Sequence, residues 1–170
     1  MICRLSDQYF VRMLRASDLD GPYPGWFEDL EVCRYNSHGK LFHTRAWFEA
    51  FIRDLDKSDR VVWAICHLTD GHIGNVTLQN ISWIDRRAEF AIIMGDKRHW
   101  GKGVSILAGR CLLEHGFTRL NLERVHTFHH RHVGKNLFSS IRPITITVEI
   151  SPAVEHTISR SSHTDGDGRS

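Results

Sequence analysis

The stretch "MGDKRHWGKGVSILAG", Met94 to Gly109, sets the reading of the whole chain. Gly101 and Gly103 bracket Lys102, the cations Lys97 and Arg98 stand just upstream, and an apolar run with helical spacing follows. Glycines let a backbone approach a ligand closely, and the first amides of a helix point outward unpaired. Together with the helix dipole and the nearby cations, such a loop favours an anion, and phosphate above others.

Two familiar phosphate loops do not fit. A nucleotide-triphosphate loop needs G-x-x-x-x-G-K-[ST], but Gly95 stands one residue too far from Gly101, and Gly103 follows Lys102 where Ser or Thr is required. A dinucleotide fingerprint would follow the first strand, whereas this loop follows the fourth strand of the reading below. What remains is Arg98-x-x-Gly101-x-Gly103 between a strand and a helix, a geometry that suits a pyrophosphate without metal. The alternative is an ordinary tight connection, which also uses glycines before a helix.

Upstream of the loop the hydrophobic period is that of strands. "RVVWAICHL" is a buried-strand pattern, "TDG" a hairpin turn, and "HIGNVTLQNI" its partner; "SWIDRR" then connects to "AEFAIIM". Earlier, "QYFVRMLR" reads as a first strand. "ASDLDGPYPGWFEDLEVCRY" reads as a short helix, an irregular link over Gly21 to Gly25, and a second short helix from about Trp26 to Val32. Thr44 is placed to cap a helix carrying Trp47, Phe48, Phe51, Ile52 and Leu55. Downstream, "VSILAGRCLLEHGFTRL" reads as helix to about Gly116, on Ile106, Leu107, Leu112 and Leu113, and "RVHTFHH" as one more strand.

The 170 residues allow one domain with a sizeable core. A formal charge of +2 argues against nucleic acid as the main partner, and no segment reaches the apolar length of a membrane span. Cys3, Cys33, Cys66 and Cys111 are widely spaced and form no C-x-x-C pair, so they read as reduced cysteines packed in the core. "MICRLSDQYF" lacks the pattern of a signal peptide, and the expected compartment is the cytoplasm. "HHRH" with His126 invites a metal reading, but strand alternation separates the faces and no carboxylate or thiolate completes a set; no metal is expected.

Over about Val61 to Asn136 the chain resembles the GNAT (Gcn5-related) N-acetyltransferases, and among them the ribosomal-protein N-terminal and aminosugar acetyltransferase subgroup. The likeness rests on "IGNVTLQNISWIDRRAEFAIIMGDKRHWGKG", on Arg98, Gly101 and Gly103 at the marked positions of Q/R-x-x-G-x-G/A, and on "DLDGPYPGWFEDLEV". It implies an α/β fold with a mixed, mostly antiparallel twisted sheet flanked by helices, over residues 1–150. It implies acetyl-CoA as cosubstrate, with the pyrophosphate held by Arg98, His99, Trp100, Gly101, Lys102, Gly103 and Val104, and the pantetheine arm by Ile92, Ile93 and Met94 in a gap beside their strand. It further implies direct transfer to a primary amine on an aminosugar, a protein N-terminus or another small molecule, with Glu89 as base.

The chain departs from the family further on. The family's acid, a tyrosine in the helix after the next strand, has no counterpart in "HHRHVGKNLFSSIRP", and only "ITITVEI" offers a later strand. Residues 151–170 read as a disordered tail. The altered ending sets a non-catalytic acyl-CoA-binding module, or activity within a homodimer, beside the enzyme reading.

Overall fold

The computed structural model describes residues 2–34, 43–57, 59–127 and 148–149. Tyr35, the "HHRH" cluster, Asn136 and the expected tail all lie outside them. Seven strands form one sheet in sequence order: β1 (Ile2–Arg4), β2 (Tyr9–Met13), β3 (Val61–His67), β4 (Gly71–Ser82), β5 (Arg87–Met94), β6 (Arg124–His126) and β7 (Val148–Glu149). Each pair is antiparallel except β5 with β6, which run parallel because α2 (Val104–Thr118) carries the chain back between them. α1 (Arg45–Arg53) starts where the Thr44 side chain accepts the Trp47 amide, as its sequence position anticipates.

The sheet is buried on both faces, which is why β3 reads as an unbroken apolar run. Trp63 and Ile65 of β3, Val76 and Leu78 of β4, and Ala88 of β5 pack with Val104, Ala108 and Leu112 of α2. Val62, Ala64 and Cys66 turn to the other face, where Phe48 of α1 meets Leu14, Leu19, Tyr23 and Trp26 of the segment before it. The expected α2 face needs correction: Ile106 and Leu107 lie exposed, and the buried stripe is Val104, Ala108 and Leu112 at four-residue spacing.

Residues Ala16–Asp20 and Pro24–Phe27 form 3-10 turns where two short helices were expected. Beneath them lies a buried ion pair. Both oxygens of Asp18 accept from the Arg12 fork, at 2.6 and 2.8 Å, and Asp18 Oδ2 also accepts from the Arg15 amide. Burial alone would raise the Asp18 carboxyl pKa, but the Arg12 and Arg15 donors outweigh it and hold it below the ordinary value. Beside it His72 is buried, with Nε2 bonded to Asn75 Oδ1 and the Gly74 carbonyl, and burial pushes its pKa down.

The reading of all four cysteines as reduced is also corrected. Cys3 and Cys111 are joined as a disulfide, while Cys33 and Cys66 are buried and free. The β1–β2 hairpin brings Cys3 to the α2 face of the sheet, where Cys111 packs against the same core. No helix among the described residues is long and apolar enough to cross a membrane.

Asp18→Asn leaves the Arg12 guanidinium buried against a neutral partner and should cost about 3 kcal/mol, measured by urea unfolding at pH 7. Because the folded-state pKa of Asp18 is depressed, its contribution is complete above the unfolded carboxylate value near ~4 and is lost as pH falls through the lower folded value. The gap between wild type and Asp18→Asn should therefore narrow below about pH 4. A gap independent of pH would show that the pair is not what is lost.

Candidate active site

β5 keeps two kinds of neighbour. It pairs with β4 from Arg87 to Met94, but with β6 only over Arg87, Ala88 and Glu89. From Phe90 to Met94 β4 is its one partner strand among the described residues, the chain that follows Thr127 lying outside them. Ile92, Ile93 and Met94, the residues expected to meet the pantetheine arm, close this stretch of β5. One group there is already engaged, since the Trp100 indole donates to the Met94 carbonyl at 2.9 Å.

The loop at the end of β5 has the backbone that its glycines suggest. Gly101 and Gly103 both have φ of +74°, a left-handed conformation costly for residues with Cβ, and open space surrounds the position a Cβ would take. Gly103 caps α2 without a side-chain bond, and the Ile106 amide is already turned back to the Gly103 carbonyl. The amides of Gly103, Val104 and Ser105 have no partner among the described residues and form an open helix N-terminus at the exit of β5.

The residues named for this loop divide into two groups. Gly101, Lys102 and Gly103 are exposed, whereas Val104 is buried against α2's core and offers only its backbone. His99 is buried and turned inward, so its side chain is not on the ligand face. Its Nδ1 lies 3.0 Å from the Tyr9 hydroxyl and its Nε2 3.2 Å from Asp70 Oδ2, while His67 Nδ1 lies 2.9 Å from the same oxygen. With Asp70 accepting, His99 Nε2 donates and Nδ1 accepts from Tyr9. The loop is thereby tied to β2 and to the β3–β4 turn.

The ligand atoms of His67, Asp70 and His99 lie within 4.8 Å of one another, so the donor cluster among the described residues is not the histidine run singled out in the sequence.

The cations differ in availability too. Arg98 is spread over Asp96, at 2.6 Å, and Asp70, at 3.5 Å, and its donors hold the Asp96 carboxyl below its ordinary pKa. Lys97 bridges Asp29 and Glu31. Lys102 makes no ion pair among the described residues. Gly95, just before the loop, has a different task. A Cβ there would lie 1.9 Å from the Trp26 ring, so its bareness lets the N-terminal segment close on the end of β5.

On the face away from α2 a cavity of about 90 Å³ opens against the sheet. Its roof is Tyr23, Phe27, Trp47 and Phe51; Trp47 and Phe51 stack nearly parallel, 5.5 Å apart. Its floor includes Asn75, Thr77 and Gln79 of β4 and Ala91 to Ile93 of β5. Burial drives the Tyr23 hydroxyl pKa well above its ordinary value, so it keeps its proton and serves as wall. Glu89 stands directly opposite Gln79 and two residues before Ala91, hence on the cavity's face of the sheet and at its rim.

Glu89 Oε2 accepts from Asn80 Nδ2 at 2.8 Å. Asn80 has φ of +53°, at the irregularity between Gln79 and Ser82 in the β4–β5 ladder, a conformation Asn tolerates better than most residues. The neighbouring arginines are engaged elsewhere, Arg86 by Asn121 and Glu123 and Arg87 by Asp85, so neither forms an ion pair with Glu89 among the described residues. Asn80 was not anticipated as a site residue, whereas Trp47 and Phe51, which read first as core aromatics, line the cavity. An Asn-Ile-Ser run at the end of a strand is the signal that would have marked the first.

Comparison with known proteins bears on the fold and the family. Residues 9–132 match the family described as the acetyltransferase (GNAT) domain. No curated protein matches the chain. Among solved structures, the spermidine N-acetyltransferase of Vibrio cholerae in complex with CoA and spermine is 23% identical, with TM-score 0.64 over 73% of this chain and 72% of that one. A dodecameric structure of the Vibrio cholerae spermidine N-acetyltransferase in an intermediate state is 26% identical, with TM-score 0.52 over 72% and 70%. A GNAT-family acetyltransferase of Bacillus anthracis is 14% identical, with TM-score 0.58 over 75% and 72%.

If the loop receives a pyrophosphate, the unpaired Lys102 should matter more than the engaged Arg98. Lys102→Ala is expected to weaken CoA binding about tenfold, the scale of one charge-assisted hydrogen bond, and Arg98→Ala by less. Titration calorimetry at fixed ionic strength reads both, and the reverse ranking would contradict the assignment.

Proposed function

We propose that this chain, which belongs to the acetyltransferase (GNAT) family and is an acetyl-CoA-dependent N-acetyltransferase, acetylates a small primary amine seated in the cavity between α1 and the sheet. The observation that supports the reading is the position of Glu89, a carboxylate on the cavity's face of β5, on the strand that runs on through Ile92–Met94 into the glycine loop.

Bound acetyl-CoA supplies the thioester, an acyl group already activated for transfer. The chain's residues do the rest. Primary amines are largely protonated at neutral pH and are not nucleophiles in that form. Glu89 takes the amine proton, directly or through one water, and the Asn80 amide fixes its carboxylate toward the cavity rim. The backbone of Ile92, Ile93 and Met94 orients the pantetheine arm, with a free amide there facing the thioester oxygen. The amides of Gly101 to Ser105 hold the pyrophosphate, assisted by Lys102. His99 and Trp100 act from behind, His99 through Tyr9 and Asp70 and Trp100 through the Met94 carbonyl, so that loop and strand end stay in register.

Support for a primary amine as acceptor comes from the family and from neighbours that include spermidine N-acetyltransferases. The subgroup reading keeps aminosugars and protein N-termini beside polyamines as acceptors.

Glu89→Gln keeps the hydrogen-bonding shape and removes the base. It should lower kcat about a hundredfold or more, with the affinity for acetyl-CoA unchanged. Thiol release with an amine acceptor, followed beside calorimetric titration of acetyl-CoA, checks it. Undiminished turnover in Glu89→Gln would remove Glu89 from the reaction.

A further inference from the structure

The cavity wall carries one cation and, among its described lining residues, no carboxylate. The cation is Arg60, the residue that precedes β3. Its Nη2 lies 3.5 Å from Asp59, a long ion pair, and its guanidinium sits 5.6 Å from the centre of the Phe51 ring. Its Nε is buried and has no hydrogen-bond partner among the described residues. A buried donor left unsatisfied is costly, and an acceptor on a bound ligand would satisfy it.

Register fixes how far this donor stands from the base. Val61 pairs with Leu78, and the Ile81 amide donates to the Asp59 carbonyl, so Arg60 stands beside Gln79; Gln79 in turn pairs with Glu89. Arg60, Gln79 and Glu89 thus form one row across three strands on the cavity face. Two strand spacings separate the ends of the row, about 10 Å between backbones. A molecule whose amine meets Glu89 has its far end at Arg60.

Resting on the reading of Glu89 above, we propose that the acceptor is an amine that also carries an anionic oxygen group, a carboxylate or a phosphate, several ångströms from its nitrogen, and that Arg60 is the residue that selects it. The guanidinium offers Nε and an Nη together, the planar fork that such anions accept bidentately. A polyamine is disfavoured by the same arrangement, because its second ammonium would be pressed against Arg60 with no acid in the wall to receive it.

The test uses the full chain saturated with CoA and two matched pairs of probes: 6-aminohexanoate against hexylamine, and glucosamine 6-phosphate against glucosamine, with spermidine as a fifth. Calorimetry should show at least one anionic member binding tenfold or more tighter than its neutral partner, and spermidine weakest; the pair that responds identifies carboxylate or phosphate. Arg60→Gln should collapse that ratio to near one, and Arg60→Lys should leave part of it. Equal binding within both pairs, or spermidine the tightest, overturns the proposal even if Arg60→Gln fails to fold. CoA binding itself separates the two levels. Its presence without anion preference sinks the role of Arg60 alone, whereas its absence sinks the enzyme reading as well.

Discussion

The site depends on the unequal partnership of β5. Strand β4 holds it over its whole length, so its side chains are fixed alternately toward α2 and toward the cavity, while among the described residues β6 pairs with it over Arg87 to Glu89. A strand inside a sheet normally has its backbone groups paired on both sides, and one that loses a neighbour presents them to whatever fills the gap. Among the described residues β6 follows it no further than Glu89, and β5 runs on to Met94 at the edge of the loop. Backbone donors, carboxylate and helix N-terminus therefore need no long-range arrangement beyond one strand and one turn.

Two anchors keep that strand's end where it is. On one face Trp26 lies against the bare α-carbon of Gly95, so the irregular N-terminal segment and the end of β5 pack as one piece. Behind the loop, His99 is clamped by Tyr9 and Asp70, which joins the loop to the opposite strands of the sheet. The buried Arg12–Asp18 pair lies under the same N-terminal segment and belongs to stability more than to chemistry. These contacts make the free loop a preformed receptor, which reduces the ordering cost of binding.

Much of this was legible in the sequence for local reasons. Strand alternation, the turn at Thr69 to Gly71 and the R-x-x-G-x-G signature each depend on neighbours in the chain, and the meander, the loop and α2 follow from them. Glu89 could be placed on a central strand because acidic residues rarely interrupt an apolar run without cause. The features that were not legible are those set by distant contacts. The three residues of β1 are too few to show a period, and nothing in the spacing of Cys3 and Cys111 pairs them across 108 residues. His99 lies among exposed cations in the sequence and yet turns inward, because Tyr9 and Asp70 arrive from elsewhere. Arg60 at a strand entrance looks like an ordinary surface charge until the roof of α1 closes over it.

The central claim is that cofactor binding engages the end of β5 and the N-terminus of α2 together. Hydrogen–deuterium exchange of the full chain, with and without CoA, reads it directly. The account predicts slowed exchange in two stretches, residues 90–94 and 101–106, with the β3–β4 turn unchanged. Protection confined to other segments, or to the loop without the strand, would contradict it.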